Sequence, residues 1–292
     1  MKSKLMLNIR ATMAGQLYEW QELRKDCFNR MRDILYRAEF GIGLNEKQDK
    51  KEKKEYPKDF EDSKLNAKFK ELKGKNNLDK EEEKFVEKLM ELGFDTKKKE
   101  KEYKALVEKT VIKEPIWTEF LEHLKGTGML STAILVYFFN YCSGINYVSS
   151  LWQYSGYGFD NENGEIQKHK KGETSSFNPK LKMFMYRIGD CFIKHRTPLY
   201  RDIYDKEKAR QVKMMEEKTG NYPSRLGHAD MRARRKMIKV FLEHYFVKCK
   251  RIIGEEVKKP YQFDKLNHKK YIDVDDFIEE LKKQKLKKEI GV

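Results

Sequence analysis

The stretch Phe120-Leu-Glu-His-Leu-Lys-Gly-Thr-Gly-Met-Leu-Ser-Thr-Ala-Ile-Leu-Val-Tyr137 decides how the chain is read. Leu121 and Leu124 end an apolar helical turn, Gly126-Thr127-Gly128 interrupts it, and Met129 begins an apolar run that continues to Tyr141. Two glycines open backbone conformations closed to residues with a Cβ. The spacing predicts a helix ending at Leu124 or Lys125, a tight turn, and a second helix starting at once. The first amides of that helix have no intrahelical acceptor, and the helix dipole places partial positive charge there. With Leu121, Leu124, Ala133 and Ile134 at the apolar positions, this is the pattern of a helix-hairpin-helix, which grips a backbone phosphate without reading bases. Lys125, Gly126, Thr127, Gly128, Met129 and Leu130 are the residues expected at the phosphate, with room at the hairpin for a monovalent cation. An ordinary αα-hairpin with a glycine turn accounts for the same residues, and the sequence leaves both readings open.

Downstream, helical spacing continues. Helices are expected over 116–125, 129–142 and 148–154, then over 179–195 through Leu181, Phe184, Met185, Ile188, Phe192 and Ile193. Residues 199–215 extend the pattern, 220–227 read as a loop, and 230–253 read as a long amphipathic helix. A last helix is expected near 274–288. Upstream, Met6, Ile9, Met13, Leu17, Trp20, Leu23, Cys27, Met31 and Ile34 recur at threes and fours, ended by Gly41 and Gly43. This near-heptad stripe fits either a helix packed on its own domain or a coiled-coil arm that dimerises. From Asn45 to Lys104 Lys and Glu dominate. There Asp79 is the expected N-cap of a helix with Phe85, Val86, Leu89, Met90 and Leu92 on its apolar side, and Gly93 its expected stop. No alternation of the strand type is found. The fold class expected is all-α: a charged helical, partly coiled-coil arm over 1–109, a compact domain with the hairpin over 110–254, and a helical tail over 255–292.

Hydrophobic residues make up 39% and charged residues 38% of the 292 residues, and the formal net charge is +16. Charge of that size, spread along the chain, favours a polyanionic partner. Abundant Lys and Glu with sparse Gln also resembles the surface of a thermophile protein. Met1–Leu7 lacks the apolar region of a signal peptide, and the run from Met129 to Tyr141 is too short to span a bilayer. Cys27, Cys142, Cys191 and Cys249 have no metal-ligand spacing. A cytoplasmic protein without membrane contact is expected.

A second basic element follows. His228, Arg232, Arg234, Arg235, Lys236 and Lys239 put cations on the first turns of a helix, where they oppose the macrodipole. Phosphates would relieve that conflict; a solvated basic face is the plainer alternative. Lys168, Lys170 and Lys171 form a basic loop. Trp152, Tyr154, Tyr157 and Phe159 could serve as stacking surfaces for unpaired bases, although core packing suits Trp152 better. For catalysis the candidates are weak: Asp160 and Glu162, with Glu165, could hold Mg²⁺ in a nuclease, but turn chemistry favours the same residues. No nucleophile–base order, P-loop or dinucleotide-binding glycine pattern is present.

Lys125-Gly-Thr-Gly-Met-Leu-Ser-Thr-Ala133, followed by Val148-Ser-Ser-Leu-Trp-Gln-Tyr-Ser-Gly156, resembles the C-terminal domain of bridge-RNA-type insertion-sequence transposases. The resemblance continues through Phe177-Asn-Pro-Lys-Leu-Lys182, Ile188-Gly-Asp-Cys-Phe-Ile-Lys194, Pro198-Leu-Tyr-Arg-Asp-Ile-Tyr-Asp205 and His228-Ala-Asp-Met-Arg-Ala-Arg-Arg-Lys-Met-Ile-Lys-Val-Phe-Leu242, in a form similar to archaeal and viral relatives. It covers roughly residues 112–250. Such transposases carry an N-terminal RuvC-like domain with metal-binding carboxylates, for which residues 1–110 show no counterpart. They also use a serine nucleophile in the polar stretch, where this chain has none before Ser175 and Ser176. The resemblance therefore implies a stand-alone, non-catalytic DNA-binding protein, largely independent of sequence, acting on duplex or branched DNA. A recombinase or nuclease using Ser175, Ser176, Asp160 or Glu162 is the enzymatic alternative, with Mg²⁺ if a nuclease; an RNA-binding module is the third. A homodimer through the arm is the partner expectation.

Overall fold

In the computed structural model, residues 4–42, 57–159, 164, 166–168, 172–219, 226–257 and 272–290 are described. Among them are ten α-helices and no strand, so the chain is all-α. It divides into two compact units, residues 12–107, and residues 108–292 grouped with 1–11.

The unit of residues 12–107 is built on α1 (Lys4–Phe40), α2 (Leu65–Gly74) and α3 (Lys80–Val111). α1 ends as its sequence implies, with the Ile42 amide bonding the Arg37 carbonyl at 3.0 Å just past the last turn. α3 begins at a capping box: Asp79 Oδ1 accepts from the Glu81 and Glu82 amides at 2.8 Å, and Glu82 accepts from the Asp79 amide at 3.0 Å. The two long helices run antiparallel, pairing Phe28 with Phe94, Arg24 with Glu100 and Trp20 with Tyr103. Their seam continues into a core of Cys27, Phe28, Met31, Leu35, Phe60, Leu65, Phe69, Leu72, Val86 and Leu89. Of the stripe on α1, Leu17, Cys27 and Met31 are buried, Trp20 and Ile34 are half-buried and Leu23 is exposed; the side chains of Met6, Ile9 and Met13 lie outside the described residues. Gly93 corrects the expected boundary. α3 passes straight through it, because a glycine there lets the Phe28 ring lie where a Cβ would stand 2.7 Å from its Cε1 atom.

The second unit contains α4 (Pro115–Glu119), α5 (Met129–Phe139), α6 (Val148–Tyr154), α7 (Pro179–Lys194), α8 (Tyr200–Thr219), α9 (Leu226–Ile253) and α10 (Val274–Ile290). α9 runs through its middle. Every residue from 241 to 250 is buried, with Phe241, Leu242, Tyr245, Phe246 and Cys249 meeting Phe120, Phe139, Phe192 and Tyr200. The segment separated from sequence as a tail contributes Val274, Phe277 and Ile278 to this same core.

Two expected helices are shorter than their periodicity implied. The one expected over 116–125 stops at Glu119, where Phe120 leaves helical geometry (φ −138°, ψ −67°) and goes into the core against Phe241. A single 3₁₀ turn, Leu121–His123, then leads to the hairpin. The helix expected over 129–142 ends at Phe139, and Asn140, Tyr141 and Cys142 take left-handed conformations (φ 43°, 55° and 56°). That turn buries Tyr141, whose hydroxyl donates to the buried Glu114 carboxylate.

Candidate nucleic-acid interface

Three parts of the second unit meet around a groove of about 680 Å³. α7 contributes Pro179, Lys182, Met183 and Tyr186, positions on one side of a helix whose opposite side buries Leu181, Phe184, Met185 and Ile188. α9 contributes His228, Met231, Arg232, Arg234 and Arg235 from its first three turns. The third wall is the connection after α6: Gly156 and Tyr157, with Ile166, Gln167, Lys168 and Phe177. A lone antiparallel bridge between Phe159 and Ile166 ties its two limbs together. Gly156 is needed here on two counts, since its φ is +75° and a Cβ would stand 2.7 Å from the Phe177 ring and 2.8 Å from Lys182 Cδ.

Five cations in or beside the groove fall into two groups. Arg234 is neutralised by Asp230 at 2.8 Å and Asp190 at 3.2 Å, and lies over the Tyr186 ring at 4.8 Å. Burial alone would lower its pKa, but the hydrogen bonds to Asp230 and Asp190 outweigh that and raise it. Lys236 is likewise tied to Glu207 at 2.7 Å. Among the described residues Arg235 and Lys182 form no ion pair with a carboxylate, and Lys239 has only the longer-range attraction of Glu243. Arg235 donates to the Tyr157 and Gly158 carbonyls, each at 2.8 Å, and faces the Phe159 ring at 5.1 Å. Lys182 donates to the Gln167 carbonyl at 2.8 Å and lies 4.3 Å over Phe177. Lys239, one helical turn beyond Arg235, lies 3.8 Å over Trp152, whose indole donates to the Lys239 carbonyl at 3.1 Å.

Burial, then mutual repulsion, destabilises these charges. Burial holds the Arg235 guanidinium below its ordinary pKa. Burial and then the Arg235 charge do the same to Lys182, and lower Lys239 to about 8. Glu243, one further turn along α9, is raised to about 7 by burial, against the pull of Lys239. A partly buried cluster of cations with so few counter-ions is what a bound anion would stabilise, because each phosphate oxygen restores a charge-assisted hydrogen bond lost from water.

Of the residues expected at a nucleic acid, Lys168, His228, Arg232, Arg234 and Arg235 line the groove and Lys239 adjoins it through Arg235. Arg232 also donates to Gln211 at 3.0 Å. Lys170 and Lys171 lie outside the described residues, as do Asp160, Glu162 and Glu165. Ser175 and Ser176 lie on the approach to Phe177, and the Ser176 hydroxyl accepts from the Gln167 amide at 3.2 Å. Among the described residues no group of His, Cys, Asp or Glu side chains is placed to hold a metal ion, and no helix is long and apolar enough to cross a membrane.

The hairpin residues are elsewhere in the unit and line no part of the groove. Gly126 (φ +88°) faces the end of α7, where a Cβ would come within 3.1 Å of the Cys191 carbonyl carbon and oxygen. Thr197 donates to the Lys125 carbonyl at 2.5 Å, and the Thr127 hydroxyl lies 2.6 Å and 2.8 Å from the Leu121 and Leu124 carbonyl oxygens. Packing therefore accounts for Gly126 and Thr127. Gly128 precedes α5, with nothing within 4 Å of where its Cβ would be, and Met129 and Leu130 open the helix in half-exposed positions.

Lys182, Met183, Tyr186 and Gln167 were not singled out from sequence. Their signal was present in α7, where Met183 and Tyr186 stand as exposed large residues on the side away from the core stripe. No family model, curated protein or solved structure matches the chain.

Proposed function

We propose that the chain binds nucleic acid, and that the groove between α7 and α9 is where it does so. The observation that carries this reading is the cluster of Arg235, Lys182 and Lys239, partly buried, with Arg235 repelling both lysines and with no ion-paired carboxylate at Arg235 or Lys182 among the described residues. Elsewhere in the same unit the buried cations are matched: Lys248 with Glu119 and Asp275, Lys250 with Glu255. The formal charge of +16 supplies the long-range attraction. Contacts of this type go to phosphates and fix position without selecting sequence. The open first turn of α5, behind Gly128, is a second place where a backbone phosphate would find free amides. Within this reading, kinship with transposase C-terminal domains remains a proposal resting on the motif resemblance.

The test is fluorescence anisotropy of the full chain with a DNA duplex, a four-way junction and a structured RNA, each at several salt concentrations. Salt-dependent binding is expected. Replacing Arg235 and Lys182 by Gln should lower the slope of log affinity against log salt by roughly 1.4–1.8, the removal of two phosphate contacts. Absence of salt-dependent binding to all three ligands would refute the reading.

A further inference from the structure

Resting on that reading, we infer that the groove takes an unpaired nucleotide, so that the preferred ligand is single-stranded nucleic acid. The groove has two chemistries. Cations stand along α9 and at Lys182 and Lys168, while much of the remaining lining is apolar or aromatic: Tyr157, Phe177, Met183, Tyr186 and Met231. A duplex hides the faces of its bases in the stack, so it would meet the cations through its phosphates and leave the aromatic faces without a stacking partner. A volume of about 680 Å³ lies in the range of sites that enclose a small ligand, roughly 300–1,000 Å³. That is room for an extruded base with its sugar and phosphate.

The aromatic surfaces are accessible and held in place. Tyr186 is 40% exposed, with Arg234 fixed over its ring by two carboxylates. Phe159, beside the groove at the end of the Tyr157 limb, is 53% exposed and flanked by Arg235 and Lys239. An aromatic face next to a guanidinium is a platform on which any base stacks while its phosphate meets the cation. Gln167 adds a polar contact of another kind. It is 5% exposed, its amide nitrogen bonds Ser176, and its amide oxygen Oε1 is buried with no partner among the described residues. Rotation of that amide toward the groove would let a base edge satisfy it, relieving the cost of an orphaned acceptor. The stacking requirement separates this ligand from a polyanion recognised by charge alone.

The experiment measures binding of the full chain at one fixed salt concentration to four ligands of equal length. These are a thymidine oligonucleotide, a uridine oligonucleotide, an abasic deoxyribose-phosphate backbone and a DNA duplex. At least one oligonucleotide with bases should bind about fivefold or more tighter than the abasic backbone, the low end of what one base–aromatic stack contributes, and tighter than the duplex. Tyr186→Ala and Phe159→Ala should each remove about fivefold of that affinity without changing the salt slope, while Tyr186→Phe keeps it. The order of the thymidine and uridine oligonucleotides identifies DNA or RNA as the source. Equal binding of the abasic backbone, tighter binding of the duplex, or Ala variants as tight as the parent would overturn the inference while leaving nucleic-acid binding intact. Loss of binding to all four would overturn both.

Discussion

Replacing Gly93 by Ala sets helix propensity against packing, and the structure decides the sign. Gly93 lies inside α3, well away from either end. Propensity alone predicts that Ala stabilises the helix by about 0.8–1 kcal/mol. The added methyl, however, would stand 2.7 Å from Phe28 Cε1, 3.1 Å from Phe28 Cδ1 and 3.4 Å from Cys27 Cβ. Carbon atoms in contact prefer about 3.5–4.0 Å, so the ring must move by most of an ångström. It has nowhere to go: Phe28 is 1% exposed and its other side meets Phe94 at a centroid distance of 5.8 Å. Overpacking of this kind costs about 1–3 kcal/mol, and a ring held on both sides belongs in the upper half of that range. Gly93→Ala should therefore destabilise by about 1–2 kcal/mol. Gly74→Ala, in the last turn of α2 with nothing within 4 Å, is the matched control and should be neutral or stabilising. Urea denaturation followed by circular dichroism reads both, and peptide-resolved hydrogen exchange should place the loss in α1 and α3. A Gly93→Ala protein as stable as the parent would refute the reasoning, because the α1–α3 seam would then have slack that the contact distances deny.

Two further predictions concern protons. Glu207 is 4% exposed; burial disfavours its charge, but hydrogen bonds from Arg210, Lys236 and Gln211 outweigh this and hold its carboxyl down to about 2. A folded pKa below the unfolded value of 4.5 contributes stability that is complete above 4.5 and is lost as pH falls towards 2. The shift corresponds to about 3 kcal/mol, so the stability advantage of the parent over Glu207→Gln should shrink by about that amount between pH 6 and pH 2. A difference that stays constant with pH would contradict it. Nucleic-acid affinity should fall as pH rises from 7 to 9, since Lys239 loses its proton near 8 and Glu243, titrating near 7, gains negative charge beside it. Anisotropy titrations of Lys239→Gln with Glu243→Gln should lose that pH dependence; its persistence would place the titrating group elsewhere.

Much of the helical framework was legible because its signals are local. The Asp79 capping box, Pro179 at the start of α7 and the apolar spacing of α9 each lie within a few residues of the structure they specify. What could not be read depends on partners distant in sequence. Phe120 breaks a helix because Phe241 waits in the core, and Gly93 is a contact residue only because Phe28 faces it. Asn140 to Cys142 turn left-handed where the helix period would have continued to Cys142, burying Tyr141 on Glu114. The candidate site shows the same limit. The basic stretch of α9 stood out as a cluster, but the lack of a carboxylate at Arg235 and its presence at Arg234 differ between adjacent residues of one helix. Lys182 closes the Phe177–Lys182 motif but was not read as a binding residue, and only the folding of the Gly156–Tyr157 turn onto α7 places it in the groove.

The charges enclosed along the middle of α9 fix the helix in register. An apolar helix buried on every side can turn about its axis, or slide by one residue, at little loss of contact area. This one cannot. Lys248 meets Glu119 and Asp275, Lys250 meets Glu255, and His244 is held between the Tyr200 hydroxyl and the Ile272 carbonyl. A slip of one residue turns the side chains by about 100° and would strand two ammonium groups in the interior, an arrangement that costs about 3–5 kcal/mol when even one such pair is broken. The same three residues, with Arg234 on Asp190 and Lys236 on Glu207, therefore hold α9 in the register that turns Arg235 and Lys239 to Phe159.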